Sequence, residues 1–383
     1  MAKSVFTSES VTRGHPDKVC DQIADRILDE ILRQDPEAHV ACEVTVSTDQ
    51  VHIFGEVTTD AVVEYENTAR QEIARIGYTQ PGKGFDAENC RVRVDLHQQS
   101  ADIARGVRRR GSAEDRLNAG AGDQGMMFGY ACRQTPALMP MPIELAHMLT
   151  KRLEYVRKNE ELPFLQPDGK SQVSIEYENG IPVRIAAVVI SAQHDAYIGI
   201  NELREKILTH VIRPTLPSSM LDAATQIFIN PTGRFVDGGP AADAGLTGRK
   251  LIVDTYGGYA RHGGGAFSGK DASKVDRSGA YMARYLAKNI VAQGLADQCE
   301  VQLSYAIGLA DPMSIRVDTF GTGKIEDDRI CHELTEKTDL RPAAIIEKFN
   351  LMSPLFSNVS CYGHFGSNAS NMPWEKTDLE PLI

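Results

Sequence analysis

Apolar residues along the chain fall at helical spacing in one stretch and alternate with polar ones in the next, and this order recurs. In the first segment Ile23, Ile27, Leu28, Ile31 and Leu32 mark a helix over 16–34, with Pro16 suited to its first turn. The runs ACEVTVSTDQ and VHIFGEVTT then read as two strands around a turn, followed by a helix near 61–76 and the alternating run RVRVDLHQQ. A second segment carries a helix over 142–158, a hairpin turned at Asn179-Gly180, a helix near 201–212 and the strand TQIFIN. In the third, a helix over 273–293 leads into CEVQLSYAIG and MSIRVDTFG, and 326–349 reads as helix broken before Pro342. The repetition predicts an α+β protein of three pseudo-symmetric helix/strand units. Their sheets are expected to be mixed or antiparallel, each packing two helices on one face. The units are expected at 1–101, 119–237 and 238–383, with the glycine- and charge-rich stretches 100–122 and 231–248 as connections.

One stretch departs from this pattern. In 247–284 an apolar run, Leu251-Ile252-Val253, reads as a buried strand, and a glycine-laden loop then closes into the helix near Ser273. Between residues 234 and 284 the cations Arg234, Arg249, Lys250, Arg261, Lys270, Lys274, Arg277 and Arg284 outnumber the anions Asp237, Asp243, Asp254, Asp271 and Asp276. The chain as a whole carries a net charge of −11, so the local reversal points to a polyphosphate ligand. Glycines let backbone N–H groups approach such an anion, and a helix start adds positive partial charge. The acidic balance argues against nucleic acid as the main partner. The seven cysteines lack metal-type spacing and read as reduced thiols of a cytosolic protein. MAKSVFTSES has no apolar run of a signal peptide, and no stretch reaches membrane-spanning length, so a cytoplasmic protein without a membrane partner is expected.

The loop Gly264-Gly265-Ala266-Phe267-Ser268-Gly269-Lys270 satisfies GxxxxGK. Asp271 nevertheless stands where a P-loop needs Ser or Thr, and no βαβ alternation surrounds it. Lys270 and Lys274, four apart, are expected on one side of the early helix and favour ligand binding. In Ser8–Lys18, His15 sits at the mouth of a helix, where it can donate to developing phosphate charge. Asp17 in the first turn suits magnesium, or else it simply complements the helix dipole. A tight turn at 120–125 carries Asp123, and Asp168-Gly169-Lys170 reads as a loop before a strand. Glu43 and Glu56 lie inside apolar strands and either face solvent or line a site. The run 105–116 reads as an exposed, mobile loop.

Taken together, TSESVTRGHPDK (7–18), GAGDQG (120–125), FINPTGRFVDGGPAADAGLTGRK (228–250), GGGAFSGKDASKVDRSGAY (263–281), YGHFG and PWEKTD resemble the S-adenosylmethionine synthetases, or methionine adenosyltransferases, of bacterial type. The resemblance covers nearly the whole chain. It implies a transferase in which the methionine sulfur attacks the ribose C5′ carbon of ATP and displaces triphosphate, later hydrolysed to pyrophosphate and phosphate. It implies magnesium and potassium, and a homodimer or homotetramer with sites at the dimer interface. By motif, His15, Lys170 and Lys270 would be catalytic; Asp168, Arg234, Phe235, Asp243, Arg249, Lys250 and Ala266 would complete the ATP site. Glu56, Gln99, Asp123, Asp243 and Lys274 would bind methionine, Asp17 and Asp276 magnesium, and Glu43 potassium. The stretch 102–118 corresponds to a mobile lid, a few residues longer and richer in arginine here than in the bacterial pattern. The chain also stops soon after PWEKTD, where many relatives continue as a helix.

The chemistry fits the charge pattern. A thioether is neutral and needs no general base, whereas the leaving triphosphate needs cations in place beforehand. Two other readings are a P-loop-type phosphotransferase, against which Asp271 counts, and a catalytically inactive structural relative, against which the intact set of charged residues counts.

Overall fold

Strand β1 (Lys3–Val11) comes first in the chain but joins a sheet formed far downstream. It is seen in a computed structural model that describes residues 3–98 and 113–382. Two four-stranded sheets share one plan, and a third follows it without the last strand. In the first unit, helix α1 (Pro16–Leu32) leads into the antiparallel strands β2 (His39–Ser47) and β3 (Gln50–Thr58). Helix α2 (Tyr65–Ile76) then carries the chain to β4 (Arg91–His97), parallel to β3. A short helix, α3 (Ala113–Leu117), precedes β5 (Gly125–Cys132).

The second unit repeats the order: α4 (Met141–Lys158), the hairpin β6 (Leu165–Glu178) and β7 (Ile181–His194), helix α5 (Ile200–Ile207), and β8 (Gln226–Ile229) parallel to β7. Asn179 and Gly180 both have positive φ (52° and 80°), as the tight turn between β6 and β7 requires. After the two-residue strand β9 (Gly245–Leu246) and the turn of helix α6 (Leu251–Asp254), the third unit begins at α7 (Val275–Ala292). It continues through β10 (Gln298–Tyr305), β11 (Ser314–Asp318), α8 (Asp327–Lys337) and α9 (Pro342–Phe349).

The first hairpin strand of every unit accepts its outer neighbour from another part of the chain. Antiparallel to β2 lies β9, to β6 lies β1, and to β10 lies β5. The sheets therefore run β4-β3-β2-β9, β1-β6-β7-β8 and β11-β10-β5. Each stretch of chain lends a strand to the next unit, so the three sheets are stitched in a ring. This cyclic exchange supports the pseudo-threefold reading more strongly than the repeated order of elements. One apolar core spans the first and third units, with Ile23, Ile27, Val44, Tyr281 and Leu286 all fully buried. A second, around Leu149, Val173, Ile190 and Leu203, fills the central unit.

Several expectations are corrected. Leu251-Ile252-Val253 is a helical turn, not a strand, with Ile252 exposed; three apolar residues cannot by themselves distinguish the two periods. Asp168-Gly169-Lys170 lies inside β6, at an irregularity in its pairing with β7, rather than on a loop. The second helix begins at Tyr65, later than 61. The stretch 231–248 is not a plain connection, since it supplies β9. The mobile-loop expectation for 105–116 falls mostly outside the described residues, which resume with α3. All seven cysteines are unpaired, and among the described residues no helix is long and apolar enough to cross a membrane.

Candidate functional site

The first cluster of candidate residues forms at the start of α1. His15 is its N-cap, and the imidazole Nδ1 accepts the Asp17 N–H at 3.2 Å. A nitrogen that accepts carries no proton, so the neutral ring holds its proton on Nε2, free to donate. Burial, then the positive charges of Lys250 and Lys170, pushes the His15 pKa down to about 3. The ring is neutral at physiological pH. Asp17 accepts the Leu246 N–H at 3.0 Å and Lys250 Nζ at 2.6 Å, with Arg249 Nε 3.4 Å away. Burial opposes ionisation of Asp17, but the bonds from Lys250 and Leu246 overcome it and lower its pKa.

Beside it, Lys170 is exposed on β6 opposite Val11 of β1. Asp168 is 7% exposed; its Oδ2 accepts the Gly239 N–H at 2.9 Å, and its buried Oδ1 has no hydrogen-bond partner. Burial lifts the Asp168 pKa to about 6, countered by Gly239 and Lys170 and reinforced by Asp243. Asp243 and Arg234 are exposed, whereas Phe235 is half-buried and pinned by paired bonds to His194.

Because the folded pKa of Asp168 lies above its unfolded value, the native state takes up the proton first as pH falls. Its destabilising charge is therefore fully present above about pH 6 and relieved as the pH drops toward 4. Asp168→Asn is expected to stabilise the protein by about 1–2 kcal/mol near pH 8, the gain shrinking toward pH 5, while nucleotide affinity falls. Thermal melts across pH, with nucleotide titration, check this. A variant less stable at every pH would show that the charge carries no penalty.

The second cluster surrounds residues 263–276. Lys270 Nζ bonds Asp276 Oδ2 at 2.7 Å, and Lys274 bonds the Asp271 carboxylate. The spacing predicts both lysines on one side of the early helix, but neither lies within it: Lys274 is its N-cap and Lys270 precedes it. Asp271 also accepts the N–H groups of Val40 (2.7 Å) and Ser273 (2.9 Å), so it fastens the turn to β2. That role, and the helical 251–254 in place of a leading strand, removes the P-loop arrangement. The 120–125 turn is tied in through Gly122 N–H to the Ser273 carbonyl at 3.1 Å, leaving Asp123 exposed.

Glu43 is half-buried on β2; burial pushes its pKa up, and nearby Lys270 draws it down. Glu56 is exposed on β3 opposite Ala41, whose other flank bridges Lys270, so Glu56, Ala41 and Lys270 form one row. Gln99 lies outside the described residues. The two clusters meet where Gly248 packs on Ala266: a Cβ on Gly248 would lie 2.6 Å from the Ala266 Cβ.

The donors suit a divalent cation that also binds phosphate. Asp17 and Asp276 are single carboxylates amid lysines, and magnesium is commonly held by one or two carboxylates together with substrate phosphates and water. At Asp276 the fit is visible in the backbone, because a Cβ on Gly265 would fall 2.2 Å from its Oδ1 and one on Gly125 3.2 Å. Two glycines keep that carboxylate approachable.

Sequence reasoning missed Asp21 and Asp25. Asp21 accepts the Gly248 N–H at 2.8 Å and Asp25 the Gly269 N–H at 2.9 Å, both from fully buried positions on α1. The signal was present: aspartates every fourth residue in DKVCDQIADRILDE, within a helix otherwise rich in apolar residues.

Residues 3–101 match the model for the S-adenosylmethionine synthetase N-terminal domain, 118–235 that for its central domain, and 237–376 that for its C-terminal domain.

Proposed function

The chain belongs to the S-adenosylmethionine synthetase family and makes S-adenosylmethionine from ATP and L-methionine; we propose that its two clusters do so by holding the triphosphate while methionine sulfur attacks the ribose C5′ carbon. The observation that carries this reading is the ring of cations set around single, mostly buried carboxylates: Arg249 and Lys250 at Asp17, Lys270 at Asp276. Such a site is charged for an anion before one arrives, which is electrostatic preorganisation.

His15 donates from Nε2 to the oxygen departing from C5′. Lys170, Arg249, Lys250 and Lys270 bind the phosphate chain, and Asp168, Arg234, Phe235, Asp243 and Ala266 hold the nucleotide. Glu56, Gln99, Asp123, Asp243 and Lys274 orient methionine. The family uses a divalent metal and a monovalent cation. In our reading these are magnesium, held by Asp17 and Asp276, and potassium, served by Glu43. Bound magnesium supplies positive charge to phosphate oxygens, lowering the cost of charge on the leaving group. Exposed Val5, Ile181, Val183 and Phe228 on the strands of the central sheet support self-association as a homodimer or homotetramer, with sites at the subunit interface.

Purified protein with ATP, methionine, magnesium and potassium, each omitted in turn and followed by mass spectrometry, tests the reading. We expect S-adenosylmethionine together with pyrophosphate and phosphate in equal amounts, and a loss of rate on omitting either ion. ADP formed without methionine would instead mean terminal phosphoryl transfer.

A further inference from the structure

Asp17, Asp21, Asp25 and Asp29 follow one another at every fourth residue of α1, and each is at most 1% exposed. Four residues advance by only about 40° around a helix, so the carboxylates form one slowly turning row. Along that row each takes backbone N–H groups from distant segments: Leu246 at 3.0 Å, Gly248 at 2.8 Å, Gly269 at 2.9 Å, then Phe356 at 3.0 Å and Ser357 at 2.9 Å. The charges of Asp21 and Asp25 are compensated as well. Asp21 accepts Lys18 Nζ at 2.8 Å, and Asp25 takes both terminal nitrogens of Arg277, at 2.7 and 2.9 Å. Arg277 Nη1 also donates to the Phe267 carbonyl at 3.0 Å, closing the turn from behind.

The row touches the site at two adjacent points in sequence. Gly248 directly precedes Arg249 and Lys250, and Gly269 directly precedes Lys270. Resting on the reading of these three cations as triphosphate contacts, we propose that Asp21 and Asp25 are positioning residues that fix the phosphate-binding cations to the almost fully buried helix α1. Long lysine and arginine side chains gain precision only if their backbone is immobile. A carboxylate on a buried helix supplies that by bonding the preceding amide. The device brings residues from two loops to one phosphate chain without a shared strand or helix.

A purely structural role would lower stability alone, so the test separates the two. Full-length Asp21→Asn and Asp25→Asn are compared with Glu375→Gln, which breaks a buried ion pair with Arg284 that faces no phosphate-bearing loop. All are assayed below the lowest melting midpoint, with inorganic tripolyphosphate as the binding probe. The aspartate variants are expected to lose at least about tenfold in kcat and in tripolyphosphate affinity, with methionine KM within about threefold. Glu375→Gln is expected to melt lower but keep both. Unchanged kcat and tripolyphosphate affinity in the aspartate variants would overturn the proposal, as would equal losses in Glu375→Gln. Should a variant fail to fold, hydrogen exchange on the native protein decides: the Gly248 and Gly269 amides must be protected without ligand, and exchange as fast as at the exposed Gly180 turn overturns it. Failure of the native protein to bind tripolyphosphate would sink the reading of the cations themselves. Binding by the native protein with no change in the variants would sink only the positioning.

Discussion

Replacing Lys270 with alanine is expected to cut the rate of S-adenosylmethionine formation by about 10²–10³-fold, the range for losing one preorganised charge at a developing anion. The fold should survive. Lys270 pairs with Asp276, whose side chain is 15% exposed, so water can take over part of the lost bond. The turn itself is held from behind by Arg277 and Asp25 rather than by the lysine. A melting midpoint within about 2 °C of the native protein is expected alongside the kinetic loss. Turnover within tenfold of native would remove Lys270 from the mechanism. A loss confined to methionine KM would move it from the phosphate chain to the amino acid.

Glu375→Gln should have the opposite signature, a large stability loss with the chemistry kept. Glu375 and Arg284 are a bidentate pair at 2.8 and 3.0 Å, with both side chains fully buried. Arg284 also donates to the carbonyls of Tyr130, Ala137 and Leu138, while Glu375 accepts Lys288 Nζ and the Gly366 N–H. The glutamate of PWEKTD thus bolts the C-terminal segment to α7 and to the end of β5. Breaking one side of such a pair leaves an uncompensated buried cation, costing about 3–5 kcal/mol. Denaturant melts should shift by that amount. A cost below about 1 kcal/mol would show that the arginine finds compensation from the carbonyls alone.

Much of the fold could be read along the chain because its periods are clean. The isoleucines of α1 and the alternation in β2 and β3 report which face is apolar, and Asn179-Gly180 marks the turn they need. His15, Asp17, Lys270 and Asp276 stand out as candidates for another reason: glycine, proline and charge crowd into short runs that local packing does not require. The runs at 251–253 and 168–170 were misread because a few residues carry too little periodicity to choose between helix, strand and loop.

What remained hidden was long-range. No local pattern tells β1 to pair with β6, β5 with β10 and β9 with β2, because hydrogen bonding between strands is indifferent to sequence separation. Nor could the sequence show that the aspartates of α1 point into the core. On a helix, acidic residues at four-residue spacing look like a solvated face until distant amides come to bond them. The sequence by itself determined the elements, the three-unit plan and the residue types able to hold a polyphosphate. Only the tertiary structure decided which strands close each sheet and which carboxylates bond the Gly248 and Gly269 amides, because both depend on backbone groups brought together from far apart in the chain.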